Sequence, residues 1–415
     1  MRKRAPKPVG HEDLGHQIAL DPTCKQANAM ARAAGCSRFA YNWALHEWER
    51  QYRAGGKPSA DKLKKQFNSI RGQEFPWTYE SPRDATSQGI IDLGSAFSAF
   101  FGSCSGRRKG PKMGYPTPRR RGLDDAFYLA NDKFRTEGNL IHIPLMGWVK
   151  MREPLRLQGK VLCARVFRQA GCWYVSIQVQ GEFRQPTVHE RAIVGVDLGL
   201  KVAVMPSQGE PMQAPAPLRT GLKQLRRANR RLHRRQKGSA NRFKARMRVA
   251  QLHQRIGNIR RDWAHKTTTK LTRENQAVVI EDLNVKGMLK NERLARSISD
   301  VGFGMIRNLL TYKGRLYGCA VIVADRWFPS SKRCSRCGNV KDELLLSERT
   351  YTCDQCGLIE DRDRNAALNL EKYPGLLGNW GRKTPTPVKT EPLRGKRKQP
   401  RQARSSKQEL TRDHL

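Results

Sequence analysis

Two close pairs of cysteines constrain this chain more than any other feature. Cys334-x-x-Cys337 and Cys353-x-x-Cys356 are each followed by a glycine, Gly338 and Gly357, and fifteen residues separate the pairs. A C-x-x-C turn offers two thiolates from one tight loop, and zinc takes four such soft ligands in a tetrahedron. The following glycine supplies the positive φ that the turn needs after its second thiolate. The spacing suits a zinc ribbon better than a disulfide framework. One structural zinc is therefore expected on Cys334, Cys337, Cys353 and Cys356, with no open coordination position left for chemistry.

Charge narrows the partners. The 415-residue chain carries 79 Lys+Arg against 37 Asp+Glu, a formal net charge of +42. Such a charge repels itself in a compact state unless a polyanion neutralises it, so a nucleic acid is expected, held largely through phosphates. No apolar run approaches the ~20 residues of a membrane span. The opening MRKRAPKPVGHEDLG has no apolar stretch of the secretory kind. With six further cysteines scattered singly, a cytoplasmic protein with reduced thiols is expected, associated with the nucleoid when bound to DNA.

Along the chain the hydrophobic period changes. Residues 1–20 are basic and then extended. Helical spacing follows from Pro22 to about Arg53, again at 59–70, and at 83–103 with Ile90, Ile91, Leu93, Phe97, Phe100 and Phe101 as an apolar face. The segment GRRKGPKMGYPTPRRR (106–121) holds seven basic residues and reads as a loop against phosphate, with Arg119, Arg120 and Arg121 at its end. Between Ala126 and Val179 apolar and polar residues alternate, so strands of a small β-barrel or sandwich are expected. RAIVGVDLGLKVAVM (191–205) reads as two short strands. The segment from Gly221 to Arg261 has fifteen Lys/Arg, no acidic residue and an apolar stripe. One basic helix is expected there, meeting phosphate through Arg226, Arg227, Arg230, Arg231, Arg234 and Arg235. AVVIEDL (277–283) reads as a buried parallel strand. A helix near 304–318, a strand CAVIVAD (319–325), the cysteine ribbon and a helix after Asp363 complete the order. The tail from Pro374 is poor in apolar residues and is expected to be disordered.

Three carboxylates stand at element ends: Asp197, Glu281 and Asp363. Strand–strand–helix–strand–helix order brings such ends to one edge of a mixed sheet, where they repel unless divalent cations hold them. Magnesium or manganese prefers hard oxygens and keeps waters for phosphate. Two such ions activate water and stabilise a leaving oxygen in phosphodiester cleavage. No G-x-S-x-G or P-loop motif offers a different chemistry.

GVDLGLK, VVIEDLNVKGM, SSKRCSRCG, CDQCG and DRDRNAALNL, in this order and spacing, resemble the TnpB proteins of bacterial insertion sequences, and the compact type V CRISPR nucleases similar to them. GCSRFAYNWAL, the GYPTPRRR loop and IPLMGWVKM with WYVSIQV resemble that family too, so the likeness spans roughly 15–372. It implies an RNA-guided DNA endonuclease of two-metal type that binds guide RNA and target DNA, a monomer being favoured. Asp197, Glu281 and Asp363 take the catalytic positions, and Asp361 is the poorer ligand. The implied fold is α/β and α+β multidomain: an RNase H-like (RuvC) nuclease domain with an inserted zinc ribbon, preceded by a small β-barrel (wedge) module carrying an inserted helical recognition module. The expected boundaries are wedge 1–20 and 122–190, recognition 21–121, nuclease 191–330 and 359–373, ribbon 331–358, and tail 374–415. The family reads a short target-adjacent motif with its first 190 residues. A guide-directed repressor without cleavage, or a cut-and-paste transposase acting on transposon ends, are the rival expectations.

Overall fold

The computed structural model describes residues 11–182, 191–345 and 347–376. The first half comprises β1 (His11–Asp21), α1 (Cys24–Arg53), α2 (Ala60–Glu74), α3 (Arg83–Cys104), β2 (Ala126–Ala130), β3 (Arg135–Glu137), β4 (Leu140–Ile143), β5 (Gly147–Met151), β6 (Lys160–Gln169) and β7 (Cys172–Glu182). The strands form one antiparallel sheet in the order β2-β6-β7-β1-β5-β4-β3. Strand β1 changes partner along its length: His11–Ala19 pairs with β7, and Leu20 and Asp21 pair with β5. The sheet thus curls round a single core, where Phe127 and Leu129 from one end join Ile141 and Ile143 from the other.

The helices α1–α3 interrupt this sheet in sequence and keep their own core of Leu45, Leu63, Phe67, Ile90, Leu93 and Phe97. Thr23 opens α1 with a capping box to Gln26. Gly89 lets α3 lie against α1, since a Cβ there would stand 2.4 Å from the Ser37 carbonyl oxygen.

The second half begins with β8 (Arg191–Asp197) and β9 (Met205–Pro206), followed by α4 (Pro217–His233), α5 (Ala240–Glu274), β10 (Asn275–Glu281), α6 (Val285–Met288), α7 (Ala295–Val301), α8 (Phe303–Tyr317) and β11 (Ala320–Ala324). The sheet order is β11-β10-β8-β9, with β8, β10 and β11 parallel and β9 antiparallel to β8. Parallel strands are covered on both faces, which explains the unbroken apolar run in VVI. Helices α5 and α8 bury Ala264, Leu271, Ile306 and Leu310 against one face. The chain ends, within the described residues, in β12 (Thr350–Thr352), β13 (Ile359–Asp361) and α9 (Arg362–Leu376).

Two expectations need correcting. The basic segment is not one helix but a hairpin of α4 and α5, broken at Gly238, whose φ of 85° an L side chain rarely adopts. The apolar stripe closes that hairpin on itself through Leu225, Ala228 and Leu252. The last helix also runs past 373, through Pro374 to Leu376; the tail from 377 onward lies outside the described residues. No helix among them is long and apolar enough to cross a membrane.

Candidate active site and metal centre

Register places the first two carboxylates side by side. Val196 of β8 is paired with Ile280 of β10, so the next residues, Asp197 and Glu281, emerge together at the carboxyl ends of neighbouring parallel strands, where ligands of open α/β sheets bind. Asp363 joins them from the first turn of α9. Gly195 makes that possible. A Cβ on it would stand 1.9 Å from the Ala367 carbonyl oxygen and 2.4 Å from the Glu371 nitrogen, so only glycine lets α9 lie directly on β8.

Mutual repulsion marks the meeting point. Burial, and then the charges of Glu281 and Asp363, push the Asp197 carboxyl up to about 8. Carboxylate oxygens are hard ligands of the kind magnesium and manganese prefer, and a divalent cation drawn among them would remove that repulsion. The Ser330 hydroxyl donates to Glu281 Oε1, and Arg349 approaches Asp363 Oδ1 at 4.0 Å. Asp361 has another task. Its Oδ1 accepts the backbone N–H groups of Asp363 (2.9 Å) and Arg364 (3.0 Å), capping α9. Asp282, beside Glu281, is engaged by Arg307 Nη1 (2.5 Å) and Arg326 Nη2 (2.6 Å). Burial raises its carboxyl, but these bonds outweigh burial and leave it below the ordinary range.

The four cysteines form the one cluster, among the described residues, of three or more His, Cys, Asp or Glu ligand atoms that all lie within 4.8 Å of one another. Cys334 Sγ is 3.6 Å from Cys356 Sγ, and Cys337 Sγ is 3.6 Å from Cys353 Sγ. A disulfide would need about 2.0 Å. A tetrahedron with zinc–sulfur bonds of about 2.3 Å has edges of about 3.8 Å, so the spacing fits a metal. The two loops are near copies. Gly338 and Gly357, at φ of 82° and 67°, donate to the Cys334 and Cys353 carbonyls at 3.0 Å each.

The arginines divide. Arg226, Arg227, Arg230, Arg231, Arg234 and Arg235 are exposed on or just after α4, and Arg120 and Arg121 are exposed in their loop. Arg119 is spent inside the protein: its Nη2 donates to Asp92 Oδ2 at 2.7 Å, and its guanidinium lies 4.1 Å from the Tyr41 ring centroid. It fastens the loop to the helices, so of the three only Arg120 and Arg121 remain exposed.

Sequence reasoning passed over Ser330, Gly195, Asn365 and Asn369. Asn365 and Asn369 are buried and four apart on α9. Asn369 Nδ2 donates to the Ser330 (2.9 Å) and Arg333 (2.6 Å) carbonyls, and Asn365 Nδ2 to Arg333 (2.8 Å). Two asparagines one turn apart on the Ala-rich face of NAALN were the available signal, since helix interiors disfavour them.

Family profiles match three stretches: one described as "Probable transposase" over residues 174–292, one as "Cas12f1-like, TNB domain" over 303–370, and one as "Helix-turn-helix domain" over 13–57. In the last span the structure has strand β1 and the single helix α1. A "Putative RNA-guided DNA endonuclease" of Streptomyces pristinaespiralis is 36% identical over 84% of this chain and 86% of its own. The InsQ protein of Escherichia coli, named likewise, is 31% identical over 85% and 90%. Identity of that extent places the chain in the TnpB family of insertion-sequence proteins. Among solved structures, the mini-RNA-guided endonuclease CRISPR-Cas_phi3 aligns over 89% of this chain and 93% of its own at 8% identity and a TM-score of 0.45, too low to define a shared fold.

Proposed function

We propose that the protein is an RNA-guided DNA endonuclease that pairs a guide RNA with one strand of a target and hydrolyses DNA at Asp197, Glu281 and Asp363. The observation that carries this reading is the convergence of three carboxylates from two strands and a helix, with Asp197 pushed up to about 8 by burial and its neighbours, in a chain of net charge +42. The relatives' names support it. The finer architecture follows the same reading: β8–β11 with α9 act as a RuvC-type, RNase H-like nuclease, β1–β7 as the wedge, and α1–α3 as the recognition module that helps read the target-adjacent motif.

Magnesium or manganese held by the three carboxylates would supply an activated water and stabilise the leaving oxygen of the phosphodiester. The chain's own groups prepare that site. Asp197 gives up the proton that its surroundings favour. Ser330 fixes one oxygen of Glu281, and Asp361 sets the first turn of α9 so that Asp363 faces the strands. Base pairing selects sequence while exposed arginines on α4 and near Gly122 hold phosphates. The zinc ribbon is structural.

Purified protein with its co-purifying RNA should cut a plasmid carrying the matched target in magnesium, and not in a chelator. Cutting of transposon ends without RNA would identify a transposase instead. Matched, RNA-dependent binding with no cutting would identify a repressor.

A further inference from the structure

The loop between β11 and the first cysteine pair joins the carboxylate site to the cysteine cluster. It leaves β11 with Asp325 and buries Phe328 against Tyr373 of α9, ring centroids 4.9 Å apart. It then turns so that the Ser330 hydroxyl meets Glu281 Oε1. Ser330 is 3% exposed and Glu281 is half-buried, so the serine side of this bond is shielded from water. A hydroxyl locked on one carboxylate oxygen leaves the other free and aimed, and removing such a partner typically costs 10- to 100-fold in metal affinity.

Ser330 is itself held from the ribbon side. Asn369 Nδ2 donates to its carbonyl and, with Asn365 Nδ2, to the Arg333 carbonyl. Arg333 precedes Cys334. The Asn365 Oδ1 accepts the backbone N–H of Ser335, inside the first cysteine loop, at 2.9 Å. A continuous set of buried and half-buried bonds therefore runs from the cysteine loop, through α9, to the oxygen of Glu281. The same helix carries Asp363. Buried polar chains of this kind hold one arrangement because every broken bond strands a desolvated partner.

We propose that Ser330 is a positioning residue: it orients the Glu281 carboxylate for the catalytic cation, and the cysteine loop, acting through Asn365 and Asn369, holds Ser330 in place. The proposal rests on the nuclease reading above, yet its main readout does not. In the full-length protein with bound guide RNA, Ser330→Ala should weaken manganese binding, followed by calorimetry, by roughly tenfold or more. Ser330→Thr, which keeps the hydroxyl, should recover most of that loss. Zinc content and guide-RNA affinity should match wild type in both variants. The manganese concentration for half-maximal cutting should rise in parallel for Ser330→Ala and return toward normal for Ser330→Thr.

Unchanged manganese affinity in Ser330→Ala, with wild-type protein cutting normally, would overturn the proposal and leave the nuclease reading intact. Equal losses in the Ala and Thr variants would also overturn it, because the hydroxyl would then not be the active feature. A wild-type protein that binds manganese and cuts no matched DNA would sink the nuclease reading instead.

Discussion

Asp197 is the residue on which burial and the charges of Glu281 and Asp363 converge. Its folded carboxyl stands at about 8 against an ordinary 3.8, so the folded state binds a proton that the unfolded chain releases. The sign follows: this group's contribution to the metal-free protein is full below pH ~4 and is lost as pH rises toward ~8, on the order of a few kcal/mol. Asp197→Asn should remove that slope. Its metal-free thermal midpoint should exceed wild type at pH 8.5 and approach it near pH 5, and manganese should raise the midpoint of wild type alone. Cleavage by Asp197→Asn should fall to background while guide and target binding persist. A wild-type stability profile as flat as the variant's would show that the carboxylates do not share one site. Asp282→Ala, by contrast, should keep much of the cutting activity, because Asp282 serves Arg307 and Arg326. Its partly exposed pairs contribute about 1 kcal/mol or less to stability.

At the scale of elements, the decisive contact is α9 on β8. Gly195→Val would thrust a side chain into the Ala367 carbonyl, and overpacking of this kind costs about 1–3 kcal/mol. The expected result is faster hydrogen exchange along α9 and loss of cutting, with β1–β7 unaffected. Unaltered exchange in α9 would contradict the described packing. The α4–α5 hairpin is anchored from outside: Asp300 of α7 accepts the Leu218 (2.9 Å) and Arg219 (3.0 Å) N–H groups at the start of α4. Its opposite face exposes Arg226, Arg230 and Arg234. Replacing Arg226, Arg230 and Arg234 by Gln should flatten the salt dependence of nucleic-acid binding by about 0.7–0.9 in log–log slope per lost contact. A slope equal to wild type would show that this face meets no phosphate.

Across the whole molecule the two halves keep separate cores, one inside the curled sheet and one on the parallel sheet, while the ribbon has a small one around Tyr351. So small a core would depend on a metal that the four cysteines could hold. Structural zinc contributes on the order of 10 kcal/mol in small domains. Cys334→Ser or Cys356→Ser should therefore lower zinc content and melt the ribbon, loosening α9 through Asn365 and Asn369. A calorimetric transition belonging to residues 11–182 should remain. Equal zinc in wild type and variant by elemental analysis would refute this.

Sequence alone determined the features that neighbours in the chain create. A C-x-x-C-G loop is closed by bonds spanning four residues, so Cys334, Cys337, Cys353 and Cys356 were legible without a fold. Alternation in β6 and β7, and the apolar run of β10, report burial directly. Asp197, Glu281 and Asp363 were legible as acids at element ends. Only tertiary structure decided what depends on distant partners. Arg119, Arg120 and Arg121 are identical in type, yet Asp92 and Tyr41 claim the first and leave the other two to solvent. Asp361 and Asp363 are equally acidic; the backbone of α9 takes the one and the strand ends receive the other. Gly195 reads as a weak point in a strand until α9 lies on it, and Ser330 meets Glu281 across 49 residues of chain. Local periodicity encodes which face is buried. Which side chain on that face finds which partner is fixed when separate elements pack.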